Sequence, residues 1–397
     1  MALELTCCDC GRTAPAAPPV ADYRCECGEH LWVRTDPRGF DWNSTVDAPG
    51  VWRYGALLPA ASPGGVADAA GGTPLVRTPS LDDPGGVRVH VKDEGENPTG
   101  SFKDRGSALG VALALETGVE TVGTVSHGNM AMSTAAHAAS AGLDCVVLVP
   151  DDIPAERLGI IAQYGPTVLR VEGDYGRLYE ESLRLGEERG VAFLNSDAPL
   201  RVEGQKTTML EICEAFAPEA PDAVIVPVSS GGHASGVWKA ARELAAAGAI
   251  DRAPRLYFAQ AAACAPIAEA FEAGANEVKP VDAGETVAYS IANADPPSGR
   301  RALVAARETG GAVVAVTDGE ILDARDEFAR AAGFCVETSS ATALAAARKL
   351  ASEGELGADE DVVLVATGSG FKEARTGAGD ETETVALSDL DERLAKR

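Results

Sequence analysis

Glu94-Gly95-Glu96-Asn97-Pro98-Thr99-Gly100-Ser101-Phe102-Lys103-Asp104-Arg105-Gly106 is a turn-rich stretch lying between a β-branched run, Val87 to Val91, and an apolar run, Ser107 to Leu115. Pro98 and Gly100 break regular structure, and the residues beyond Gly106 read as a helix. Lys103 therefore stands at a loop-to-helix junction. There, partial burial and the positive end of a helix disfavour the ammonium form and make the amine a usable nucleophile. The plain alternative is a surface lysine in an ordinary turn, and the rest of the chain has to decide between the two.

Working outward, strands read at Val87 to Val91, Thr121 to Ser126, Cys145 to Val149, Val168 to Val171, Ala223 to Val228, Leu256 to Ala259, Ala312 to Val316 and Val362 to Ala366. Helix-length segments such as Met130 to Ala141 and Ala234 to Ala247 separate them. This alternation predicts a doubly wound α/β architecture, whose open sheets bind ligands beyond the carboxyl ends of the strands.

Three loops follow strands. Ser126-His127-Gly128-Asn129 offers Asn129 to a phenolic or carboxylate oxygen, and Ser126 with the amides of the helix start to a substrate carboxylate. A simple Asn N-cap is its structural alternative. Ser229-Ser230-Gly231-Gly232-His233 opens another helix and is built of small residues, so that several backbone N–H groups can converge on a phosphate. It matches neither GxxxxGK[ST] nor GxGxxG, which argues against a nucleotide triphosphatase or a dinucleotide enzyme, and a tight turn is the bland reading. Thr367, in Ala366-Thr367-Gly368-Ser369-Gly370-Phe371-Lys372, presents a hydroxyl to the ring nitrogen of a cofactor lying across the strand ends.

Near the start, Cys7-Cys8-Asp9-Cys10-Gly11 and Cys25-Glu26-Cys27-Gly28 place two thiol pairs at the spacing of a small zinc ribbon. Cys7, Cys10, Cys25 and Cys27 are the candidate ligands, with Cys8 and His30 as substitutes; unmetallated buried thiols are the alternative. A closed site of four thiolates is structural, with no position open for water. Residues 36 to 72 read as a covering segment, Thr376 to Thr384 as a fraying stretch and the last dozen residues as a helix.

Acidic residues outnumber basic ones 60 to 34, for a formal charge of −26. Phosphate backbones and anionic lipid surfaces are repelled, which excludes nucleic acid and membrane as partners. Lysine is scarce, and the balance suits a halophilic, salt-adapted cytoplasm. No secretory leader is read at the start and no apolar run reaches the roughly 18 residues of a membrane span, so a cytoplasmic protein with reduced thiols is expected.

Taken together, ENPTGSFKDRG, SHGN, the SSGGH loop, ATGSGFK, the segment Glu337-Thr338-Ser339-Ser340-Ala341 and the N-terminal cysteine pattern resemble the β-family (fold type II) of pyridoxal-phosphate enzymes, and within it the threonine synthases. The resemblance covers nearly the whole chain. It implies two doubly wound open-sheet domains: a large one from 37–110 and 202–380, and a small one, 111–201, that closes on it. The zinc-ribbon-like segment 1–36 precedes them and a tail, 381–397, follows. It also implies that Lys103 is the Schiff-base lysine, Phe102 its ring-packing neighbour, Asn129 the partner of the phenolic oxygen and Thr367 that of the ring nitrogen. Ser229, Ser230, Gly231, Gly232 and His233 match the phosphate loop. Ser101, Ser126, His127, Gly128 and Met130 fall at the substrate.

The implied reaction converts O-phosphohomoserine and water to threonine and phosphate. Arg105, Lys92, Lys206 and Arg300 are considered for the phosphate by position. The chain departs from the family at Met130, where a small hydroxyl residue is usual, at His127, where Ser or Thr is common, and in a phosphate loop that usually reads Gly-Asn-Ala-Gly-Asn. Three other readings stand beside this one: another β-family enzyme, such as a serine or threonine dehydratase, an ammonia-lyase or a β-replacement synthase; a non-catalytic ligand-binding relative; and a zinc-ribbon interaction module. A homo-oligomer, taken as a dimer, is expected.

Overall fold

Runs of β-branched residues without a polar alternation cannot face water, and here they assemble into parallel sheets covered on both sides. The computed structural model describes residues 3–16, 23–83, 85–126, 128–151, 153, 155–173, 175–373 and 383–395. In chain order the strands are β1 (Leu3–Cys7), β2 (Thr13–Ala16), β3 (Leu31–Val33), β4 (Leu75–Arg77), β5 (Arg88–Asp93), β6 (Thr121–Val125), β7 (Asp144–Pro150), β8 (Thr167–Val171), β9 (Val191–Phe193), β10 (Ala223–Pro227), β11 (Arg255–Ala261), β12 (Val313–Val316) and β13 (Asp361–Ala366).

The largest sheet has the order β12-β11-β10-β13-β5-β4 and is parallel except for β4. The period of two along a strand divides its side chains between two cores. Val224 and Val226 of β10 meet one core with the helices Thr207–Phe216, Gly232–Ala247 and Gly299–Thr309. Ala223 and Ile225 meet the other, with Asp318–Ala332 and Thr342–Ser352. A second sheet, β8-β7-β6-β9, is wholly parallel and packs against Asn129–Ala141. It lies within the stretch 111–201, although residue 110 falls inside the helix Lys103–Glu116. The third sheet, β2-β1-β3, is antiparallel and carries the N-terminal cysteines.

Each strand read from the sequence is present within two residues of its expected ends. Residues 36 to 72 do cover the body, through 3₁₀ turns at Trp42–Ser44, Gly50–Leu57 and Gly65–Ala69 that bury Trp52, Tyr54 and Leu57. The end of the chain contains a short helix, Leu390–Leu394. His127 and residues 376–382 lie outside the described residues. Among the described residues no helix is long and apolar enough to cross a membrane.

Candidate active site

A cavity of about 1020 Å³ opens between the carboxyl ends of the two parallel sheets. Lys103 lines it as the first residue of the helix Lys103–Glu116, which begins four residues earlier than the apolar run alone indicates. The turn before it is fastened by Asp104, whose carboxylate accepts from the N–H of Thr99 at 2.7 Å and its hydroxyl at 2.8 Å. Burial pushes the Lys103 amine down to about 7; the Arg201 charge adds to this and Glu337 opposes it. Its Nζ lies 4.4 Å from the centre of the Phe102 ring, which stacks on His233 at 4.1 Å. Burial pushes His233 down to about 3, so its ring is neutral. His233 Nε2 pairs with Thr208 Oγ1 at 3.0 Å, while the buried Nδ1 has no partner among the described residues.

The loop after β10 runs through Ser229 and Ser230 along the cavity and enters the helix Gly232–Ala247. Gly231 has φ +88°, and a Cβ on Gly232 would come within 2.2 Å of the Ser196 carbonyl. Only glycine allows this approach, and the result is a cradle of backbone N–H groups at a helix start.

Asn129 begins the helix Asn129–Ala141, with Gly128 at the N-cap. Its Nδ2 donates to both Glu337 oxygens, at 2.8 and 2.9 Å, and its Oδ1 accepts from Lys372 Nζ at 2.7 Å. Burial holds Glu337 above the usual carboxylate range, against the pull of Lys372 and Asn129. Thr367 Oγ1 lies 2.8 Å from Ser340 Oγ, which in turn accepts from the Gly368 N–H at 3.0 Å. Ser126, Gly128 and Met130 line the cavity. Ser101 lies behind its wall, fully buried, with an Oγ that has no partner among the described residues.

The sequence reading gives no role to Arg201, Glu337, Ser340 or Lys372. Arg201 is fully buried and donates to the Lys103 carbonyl at 3.1 Å and to Ser107 Oγ at 2.9 Å. Burial pushes it down to about 10, and its Nε has no partner among the described residues.

The family model described as pyridoxal-phosphate dependent enzyme matches residues 66–368. This chain belongs to that family. A threonine synthase of Methanocaldococcus jannaschii is 37% identical, with 98% of each chain covered. One of Methanosarcina acetivorans is 39% identical over 83% of this chain and 82% of its own length. Among solved structures, maize serine racemase superposes with a TM-score of 0.64 at 25% identity, covering 82% of this chain and 92% of its own. A threonine deaminase of T.th. gives a TM-score of 0.63 at 26% identity, covering 77% of this chain and 94% of its own. The architecture is the fold type II one of pyridoxal-phosphate enzymes.

The residues fit the cofactor of that family. Lys103 supplies an amine of suitable pKa, the Gly231–Gly232 cradle accepts a phosphate, and Thr367, its hydroxyl paired with the buried Ser340, lines the cavity. The cations considered for a second phosphate are committed elsewhere, which corrects that expectation. Lys92 pairs with Glu211, Arg105 with Glu94 and Glu211, and Lys206 with Glu203 and Glu243, all buried except the half-buried Glu211. Arg300 pairs with Glu29 and does not line the cavity that holds Lys103. Breaking a buried pair strands its partner charge, so none of the buried cations is free to move to a ligand.

The thiols of Cys7, Cys10, Cys25 and Cys27 lie within 4.8 Å of one another, with Cys7 to Cys27 and Cys10 to Cys25 both at 3.6 Å. Four sulfurs at zinc–thiolate distance on a tetrahedron are about 3.8 Å apart, so the donor set fits that ion. The two substitutes stand apart: Cys8 is held up to about 11 by burial, and His30 Nδ1 faces Asp197 at 2.9 Å.

Proposed function

We propose that this chain is a threonine synthase, a lyase that converts O-phosphohomoserine and water to threonine and phosphate. The observation that carries the reading is one cavity holding both the depressed amine of Lys103 and the glycine cradle. The substrate comes from the relatives of that name, 37% and 39% identical to this chain.

Pyridoxal phosphate, when bound, supplies an electron sink for charge that develops at the substrate's α and β carbons. Lys103, uncharged above about pH 7, accepts the α proton and later returns a proton as the ammonium. Gly231, Gly232 and their serine and histidine neighbours hold the cofactor phosphate, with Asn129 and Thr367 orienting the ring. Ser126 and the amides that begin Asn129–Ala141 take the substrate carboxylate. Arg201 has no hydrogen bond to a carboxylate among the described residues and supplies positive potential behind Lys103 for the dianionic leaving group. The stretch 111–201 closes on the rest and excludes water.

The four-cysteine cluster belongs to the same proposal as a structural zinc site. So do a reducing, salt-rich cytoplasm, in keeping with nine free cysteines and a charge of −26, and assembly as a dimer. Met130, apolar where the family has a hydroxyl, favours a second reading: a β-family enzyme acting on an amino acid without a phosphate. Phosphate release from O-phosphohomoserine, measured beside serine, threonine and O-phosphoserine, separates the two. Threonine formed only from O-phosphohomoserine, and lost in Lys103→Ala, is expected. Turnover of serine or threonine alone would replace the proposal by the second reading.

A further inference from the structure

The hairpin Arg24–His30 has its tip at the thiol cluster and its base in the wall of the active-site cavity. Cys25 N donates to Glu29 O at 2.7 Å and Gly28 N to Cys25 O at 2.8 Å, while Arg24 bridges to His30. The tip places Cys25 and Cys27 beside Cys7 and Cys10, and the base places Tyr23, Arg24 and His30 on the cavity.

From the base, the polar contacts lead to the glycine loop. His30 Nδ1 lies 2.9 Å from Asp197 Oδ2 and 3.0 Å from Ser298 Oγ. Ser298 donates its N–H to the Ser230 carbonyl at 2.8 Å, and its own carbonyl closes over Gly231, within 2.4 Å of where a Cβ would stand. Asp197 follows Ser196, whose carbonyl closes over Gly232 in the same way. His30 thus joins the two segments that clasp the loop from either side. Its neighbour Glu29 pairs with Arg301, which donates to Ser235 Oγ at 2.9 Å, and Trp32 Nε1 donates to the same hydroxyl at 2.7 Å. Ser235 lies in the first turn of Gly232–Ala247, the helix that starts at the cradle.

We propose that His30 is a positioning residue for the cofactor-phosphate loop, and that a metal ion in the four-cysteine cluster holds it in place, so that metal occupancy sets the affinity for pyridoxal phosphate. A short hairpin has too little apolar surface to fix its own shape, and metal binding is what orders such a segment. Tying Cys25 and Cys27 to Cys7 and Cys10 sets the angle at which the base meets Asp197 and Ser298. The second half of the proposal rests on the zinc reading above; the first does not.

The test uses the full chain as purified, after chelation, and after zinc is restored, with metal content measured each time. Each form is freed of cofactor and titrated with pyridoxal phosphate by cofactor absorbance. Stripping is expected to weaken affinity about tenfold, the weight of one buried hydrogen bond, with zinc restoring it. His30→Ala is expected to weaken it by a similar factor, and stripping that variant to add little, because both act through one link. His30→Asn, whose amide reaches the position of Nδ1, is expected to regain most of the loss. Thermal unfolding of each cofactor-free form separates lost affinity from lost fold. Wild-type affinity in a folded His30→Ala overturns the positioning role. Unchanged affinity after stripping overturns the metal lever, and a purified chain that neither contains nor takes up zinc overturns it through the zinc reading itself.

Discussion

Lys103 lies between a cation and a carboxyl group that act on it in opposite directions, Arg201 lowering its pKa and Glu337 raising it. Covalent capture of pyridoxal phosphate needs the free amine, whose fraction grows as pH rises through the folded value of about 7. Capture by the cofactor-free protein should therefore rise between about pH 6 and 8 and level off above; stopped-flow absorbance checks it, and a midpoint near the unperturbed lysine value would contradict it. Arg201→Met is expected to move the midpoint up and Glu337→Gln to move it down. Arg105 calls for a different expectation: Arg105→Met leaves Glu94 and Glu211 short of a partner, and stability should fall by about 3–5 kcal/mol in denaturant unfolding. Lys103, Asn129 and Thr367, which all line the cavity, stood out in the sequence because Lys103 and Asn129 fall where a loop enters a helix and Thr367 directly follows a strand. Glu337 and Lys372 lie in stretches that carry the resemblance, but their parts in the site were not legible, since they reach Asn129 across 208 and 243 residues. Arg201, inside a helix, looks like any surface arginine until its burial is seen.

Two helices set the distance between those charges. Lys103–Glu116 crosses Pro199–Gln205 so closely that a Cβ on Gly204 would stand 2.0 Å from the Arg105 carbonyl and 2.8 Å from Gly106 Cα. Gly204→Ala must push the helices apart, with an expected loss of about 1–3 kcal/mol. It should also shift the pH midpoint of cofactor capture, because Arg201 and Lys103 sit on opposite sides of that crossing. Thermal unfolding together with the pH profile tests this, and an unchanged profile in a folded variant would show that the crossing does not set the spacing. At this scale the parallel strands were legible from their uninterrupted β-branched runs. The three-residue strands β3, β4 and β9 were too short to show a period, and the start of the Lys103 helix was hidden because Asp104 and Arg105 are polar yet buried. The cysteine spacing pointed to a closed cluster, but nothing in it foretold that the same hairpin forms a wall of the cavity.

Over the whole molecule, a formal charge of −26 makes the folded state repel itself, and salt screens that repulsion. The unfolding temperature should rise on going from about 0.1 M to about 2 M potassium chloride; a flat response in calorimetry would show that the surface charges are already balanced by their neighbours. The same composition leaves few amines, and the fold withdraws most of them from solvent. Lys92, Lys206 and Lys239 are buried, Lys103, Lys349 and Lys372 are partly covered, and only Lys279 is exposed among the described lysines. An acylating reagent would thus find little to modify on the outside, and surface attachment through lysine would hold the protein by very few points. Hydride trapping of the bound coenzyme should, for the same reason, yield one dominant tagged peptide in a digest, with little competing signal from the other described lysines.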